Sequence, residues 1–142
     1  MINKKFINDK LEYIKKYYRE FEEGLLKFPV KNVNKDMFYL RAYERIFQLI
    51  VDEMLDINTH IISKMDLDKA RDYQGTFIVL GEAEILPFDF SRKIAPVVGL
   101  RNILVHRYEK IDPELFLKHL KKDREDFAKY VKIIKDYIEK KA

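Results

Sequence analysis

The sequence predicts an all-α protein: a helical bundle of about five helices built around a long antiparallel helix hairpin. Three observations predict it. Apolar residues recur at alternating spacings of three and four along most of the chain, the period of a helix with one buried face. Four glycines in 142 residues are too few for a fold rich in sheets or loops. No segment reads as a strand, a repeat or a low-complexity run.

The first helix is expected from about Ile2 to Phe28, with Ile7, Leu11, Ile14, Tyr18, Phe21, Leu25 and Phe28 as its apolar stripe. Pro29 and the polar stretch Asn32 to Asn34 break it. The second helix starts near Asn34 to Asp36, either of which could cap it, and continues to about Met65. Leu40, Tyr43, Phe47, Ile50, Met54, Ile57 and Ile61 form its stripe, and a short linker between two such helices makes a hairpin. After a charged connection from Asp66 to Asp72, a shorter helix is expected from about Gly75 to Ile85, stopped by Pro87. The fourth begins near Asp89, as a cap, and reaches Arg107 or Tyr108, with a kink or restart at Pro96. Asp112 and Pro113 read as cap and first turn of a fifth helix running to the end of the chain. Its buried side carries Leu117, Leu120, Phe127, Val131, Ile134 and Ile138.

The 142 residues fit one domain, with 47% apolar and 37% charged residues, a globular and not a disordered composition. Cysteine is absent, which excludes a disulfide scaffold and thiolate metal sites and fits a reducing, cytoplasmic setting. A net charge of +4 permits contact with nucleic acid without arguing for it. Charges recur throughout, so neither a signal peptide nor a membrane span is expected.

Solvated helix faces explain most of the polar sequence, but not the segment R-N-I-L-V-H-R-Y-E-K-I-D, from Arg101 to Asp112. A helical wheel places Arg101, Val105 and Tyr108 close together with Asn102 and His106 beside them, while Leu100, Ile103 and Leu104 point toward the core. Such a face could bind phosphate, move protons and orient a hydroxyl. On residue types alone, an Arg, a His and a Tyr on a helix are ordinarily surface residues, and a His near a helix C-terminus is stabilised there by the helix dipole.

The segment resembles the defining motif of HEPN proteins, in the form seen in the HepT-like group: Arg, four residues, His, one residue, Tyr. Arg101, His106 and Tyr108 fill those positions, and Asn102 stands where the group commonly has a polar Asn. Arg107 is basic where related sequences often carry Glu. The stretch L-D-I-N-T-H-I-I from Leu55 to Ile62 and the approach V-V-G-L-R-N-I-L-V-H look like the same group, so the similarity spans roughly residues 37 to 120.

The resemblance implies a ribonuclease toxin of a toxin–antitoxin pair, acting on RNA without a metal or other cofactor. It also implies a homodimer whose two motifs face each other. Arg101, Asn102 and His106 are then the catalytic residues. His106 would move the proton of a ribose 2′-hydroxyl or of the leaving oxygen, and Arg101 would hold the anionic phosphorane. The product expected is a 2′,3′-cyclic phosphate. The resemblance further implies a minimal nucleotidyltransferase as antitoxin partner, attaching AMP to Tyr108. Read from the residues alone, Tyr108 is a helix-end aromatic packed on Leu104, and that reading is favoured over modification. Two other functions stay open: a non-catalytic module or nucleotide-binding subunit serving the nucleotidyltransferase, and a structural bundle without catalysis.

Other candidates read as weaker. Asp56 and His60, four apart, are expected to pair with each other. His119, Lys121, Lys122, Lys140 and Lys141 read as solvated, with the lysines able to help hold an RNA backbone. Tyr17 and Tyr18 read as core or dimer interface. No metal-ligand spacing, phosphate loop or nucleophilic Ser or Cys arrangement occurs.

Overall fold

The computed structural model describes residues 1–27 and 36–140. Phe28, Pro29, the stretch Asn32 to Asn34 and Lys141, each assigned a role in the sequence reading, lie outside them. Among the described residues the chain forms six α-helices, one 3-10 turn and no strand. The helices are α1 (Lys4–Lys27), α2 (Met37–Lys64), α3 (Tyr73–Glu82), α4 (Phe88–Ile94), α5 (Val97–His106) and α6 (Pro113–Lys140). The turn, Tyr108–Lys110, joins α5 to α6.

Capping chemistry sets most of the helix boundaries. Asn3 Oδ1 accepts the Phe6 N–H at 3.0 Å, Asp36 Oδ1 the Phe38 N–H at 2.9 Å, and Asp112 Oδ1 the Glu114 N–H at 3.0 Å. Asp72 Oδ1 accepts the Gly75 N–H at 2.7 Å, so α3 opens at Tyr73, earlier than the periodicity suggested. Two ends use the same backbone device. At the end of α2, the Leu67 N–H reaches the Ile62 carbonyl and Asp66 sits at φ 51°; at the end of α3, the Ile85 N–H reaches the Leu80 carbonyl and Glu84 sits at φ 62°. These are Schellman closures with an acidic residue in the left-handed position where glycine is usual.

The expected fourth helix is two. Asp89 is not its cap: Pro87 occupies that position, and Asp89 lies in the first turn of α4. The chain restarts at Pro96, and α5 ends at His106 because Arg107 leaves helical geometry at φ −137° and ψ 45°.

The core lies where the stripes meet. Ile7, Leu11, Ile14 and Phe21 of α1 pack with Leu40, Tyr43, Phe47, Ile50, Met54, Ile57 and Ile61 of α2, all buried. Burying each such side chain contributes roughly 1.5–3 kcal/mol. The predicted residues of α6 are all buried, joined by Phe116 and Tyr130. Phe116 meets Phe47 edge-on at 5.6 Å between ring centroids. One polar network crosses this core. The Tyr130 hydroxyl donates to Asn58 Oδ1 at 2.6 Å, Asn58 Nδ2 donates to Thr76 Oγ1 at 3.1 Å, and that hydroxyl donates to the Tyr73 carbonyl at 2.6 Å. Every member is partnered, so α2, α3 and α6 are locked in register without a stranded polar group.

Asp56 and His60 do not pair. Asp56 meets Lys10 of α1 at 2.9 Å, while His60 Nε2 accepts the Asn3 N–H at 3.0 Å and its ring stacks on Phe6. Both residues are drawn to α1, the helix packed along α2. No helix among the described residues is long and apolar enough to cross a membrane.

Candidate functional site

Helix α5 is short, and its two faces differ. Val97 and Val98 anchor its start in the core, and Leu100 and Leu104 pack against the core less completely. Ile103, expected to point inward, is 36% exposed, and Val105 is 39% exposed. The turn of the helix explains this. Once Leu100 and Leu104, four apart, face the core, Ile103 lies about 80° from their mean direction, on the flank of the helix next to His106.

Arg101 lies at the boundary, half-buried against α2. Its Nε donates to Asp52 Oδ1 at 2.7 Å, and its Nη1 donates to Asn102 Oδ1 at 3.1 Å. The guanidinium is thereby fixed on one edge by a carboxylate and on another by an amide, while a planar fork of five N–H groups keeps donors for an anion. Asp52 and Arg101 have side chains 32% and 19% exposed, so their pairing is partly screened and serves orientation more than stability. Asn102 and His106 are exposed, and His106 is the last residue of α5.

Tyr108 does not lie on the same helix face, as the wheel suggested, because α5 has ended two residues earlier. The 3-10 turn swings its ring back toward α2. There its hydroxyl donates to Glu44 Oε1 at 2.8 Å, and the Arg41 guanidinium lies over the ring, 4.6 Å from its centroid. Arg41 also reaches the same carboxylate oxygen at 3.1 Å. Packing on Leu104 alone therefore does not describe Tyr108. Glu44 is buried, and desolvation pushes its carboxyl above the ordinary range, opposed by the charge of Arg41. Its second oxygen, Oε2, is buried without a hydrogen-bond partner.

Sequence reasoning missed the three residues of α2 that hold the motif: Arg41, Glu44 and Asp52. For Glu44 a signal existed. It stands four residues after Leu40 and three before Phe47, on the apolar stripe itself, and a charge there needs a partner. Asp52 sits on the flank of the stripe, where a carboxylate is unremarkable. His119, Lys121 and Lys122 are exposed on α6, as expected, and Tyr17 and Tyr18 are half-buried against the core. Among the described residues no three His, Cys, Asp or Glu side chains gather as a metal site.

The chain as a whole is similar to known proteins. A family model described as ribonuclease HepT-like matches residues 7–134, wider than the motif-bearing stretch. The chain is 36% identical over 138 residues to a tRNA nuclease HepT of Aphanizomenon flos-aquae, a match covering 93% of this chain and 89% of that protein. It is 26% identical over 88 residues to an mRNA nuclease HepT of Shewanella oneidensis, covering 62% of this chain and 66% of that one. Its fold matches the tri-AMPylated Shewanella oneidensis HEPN toxin solved in complex with its MNT antitoxin, with a TM-score of 0.83 at 22% identity over 92% of this chain and 97% of that chain. A family model matched over nearly the whole chain, and a relative more than one third identical, establish that this chain belongs to the ribonuclease HepT-like family.

Proposed function

We propose that this chain is an endoribonuclease toxin that cleaves RNA with Arg101, Asn102 and His106, and that a nucleotidyltransferase antitoxin silences it by attaching AMP to Tyr108. One observation carries the reading: Asp52 fixes Arg101 beside Asn102, with His106 exposed on the same short helix, in a chain of the ribonuclease HepT-like family.

The chemistry follows from the side chains. A ribose 2′-oxygen attacks the adjacent phosphorus, a His106 imidazole takes its proton, and the bond from phosphorus to the 5′-oxygen breaks. A second imidazole protonates that departing oxygen. The products are a 2′,3′-cyclic phosphate and a 5′-hydroxyl. Arg101 stabilises the negative charge that gathers on the phosphorane, and Asn102 holds the guanidinium in place. No step calls on a metal or another cofactor.

One imidazole does not readily serve as acid and base in a single turnover. The active species is therefore a homodimer with two His106 side chains at one cleft. Ile103 and Val105 support this, since they place exposed apolar surface on α5 on either side of Asn102 and His106.

Tyr108 follows His106 by two residues, and its hydroxyl is already engaged by a carboxylate. Nucleotides on that oxygen bring anionic charge beside a site built for RNA phosphate and exclude the substrate. The related toxin solved in AMPylated form with its MNT antitoxin supports this regulation. The chain is read as one such domain, at work in the cytoplasm.

The test is expression of the parent, Arg101→Ala and His106→Ala chains without an antitoxin. The parent should arrest growth and both variants should be harmless at equal helical content. Growth arrest by the His106 variant at parental strength would refute the assignment.

A further inference from the structure

Glu44 has an environment that packing does not explain. It lies on the apolar stripe of α2, 5% exposed, with Oε2 buried and unpartnered. A stranded carboxylate oxygen is destabilising, and an apolar residue would fill the position without that penalty. What Glu44 holds is the Tyr108 hydroxyl, 2.8 Å from Oε1. Arg41 closes the triangle, pairing with that same oxygen at 3.1 Å and covering the Tyr108 ring. The phenol is thus oriented on a buried proton acceptor, with a cation over its ring.

We propose that Glu44 is the general base for nucleotidyl transfer to Tyr108, so that the acceptor protein supplies the base for its own modification. This rests on the reading of Tyr108 as the modified residue. The Tyr108 oxygen attacks the α-phosphorus of a nucleoside triphosphate brought by the nucleotidyltransferase. The new bond joins that oxygen to phosphorus, the bond from the α-phosphorus to the bridging oxygen breaks, and pyrophosphate departs with the electron pair. The phenolic proton passes to Glu44 Oε1. The carboxyl becomes neutral as the phosphodiester acquires its charge, so no carboxylate is left facing the new anion, and Arg41 remains to balance it.

Desolvation suits Glu44 to the role, because it raises proton affinity above that of an exposed glutamate, while Arg41 favours the ionised form before reaction. The arrangement serves the first transfer only. An esterified phenol has no second proton, so any further AMP must join a hydroxyl of the nucleotide already attached.

The experiment mixes the purified chain with an MNT-type nucleotidyltransferase, ATP and Mg2+, and follows intact mass with time. Glu44→Gln keeps the size and a hydrogen-bond acceptor but cannot take the proton. Its first AMP addition should slow about 100-fold or more in kcat, with KM for ATP and affinity for the nucleotidyltransferase unchanged. Glu44→Asp should recover part of the rate. Any second addition should follow the first at the parental rate in both variants, a result that general loosening of the turn would not give. Should the Gln variant fail to fold, the Asp variant carries the same comparison of first and second additions. First addition at the parental rate in Glu44→Gln, with Tyr108→Phe unmodified, overturns Glu44 as base and leaves the Tyr108 reading standing. A parent that gains no mass, or a Phe variant that gains it, defeats the Tyr108 reading and this proposal with it.

Discussion

Asp52 and Arg101, 49 residues apart in the sequence, meet at 2.7 Å between Asp52 Oδ1 and Arg101 Nε. This contact ties the motif helix α5 to the long helix α2 and sets the direction of the guanidinium. Its stabilising value is small, up to about 1 kcal/mol for a pair this exposed, so its value is geometric.

Releasing Arg101 should therefore damage catalysis more than folding. Asp52→Ala is expected to lower kcat/KM for RNA about 10- to 100-fold, because misplacement of a transition-state partner by about 1 Å costs that order of rate. Urea denaturation should show a stability loss below about 1 kcal/mol. Unchanged cleavage in the variant would mean that Asn102 alone positions the guanidinium.

Assembly is tested on the outward face of α5. The parent should scatter as twice the 17.2 kDa chain. Ile103→Glu, placing a charge on the apolar surface beside Asn102 and His106, should shift it to a monomer and remove cleavage together. A variant that is monomeric yet fully active would show that one motif is sufficient.

A pH dependence follows from His60. Burial first, then the charges of Lys64 and the N-terminal amine, depress its pKa below the usual 6.5. In the folded chain its Nε2 accepts the Asn3 N–H, which a protonated ring cannot do. The unfolded chain thus binds the proton more readily. The contribution of His60 is fully present above about pH 6.5 and is lost as pH falls through the depressed value. Denaturation of the parent at pH 7.5 and at pH 5 should show a drop that is smaller in His60→Gln, which keeps an acceptor and does not titrate. Equal drops in the two proteins would remove His60 as the cause.

The long helices were legible because burial imposes one period on them. Every apolar residue assigned to the α2 stripe is buried, and Asp36 and Asp112 cap where their positions suggested. Pro96 was legible as an interruption because its ring forbids an uninterrupted helix. What escaped were properties of contact and not of period. Ile103 sits in a helix of ten residues, too short for periodicity alone to decide which neighbours of Leu100 turn inward. Tyr108 was placed on a helix that stops at His106, and the stop comes from a local twist at Arg107 that no proline or glycine announces. The motif was visible as a string, whereas Asp52 and Glu44, which orient two of its members, stand 49 and 64 residues before the groups they hold and become visible only when α2 and α5 are packed.

In the proposed mechanism His106 performs acid–base cleavage of RNA. The most direct test of this is end-group analysis of RNA cut by the purified chain in EDTA, beside His106→Ala. The parent should yield a 2′,3′-cyclic phosphate on one fragment and a 5′-hydroxyl on the other, and the variant should yield neither. Cleavage that stops in EDTA, fragments carrying 3′-hydroxyl and 5′-phosphate ends, or undiminished cutting by His106→Ala would contradict it.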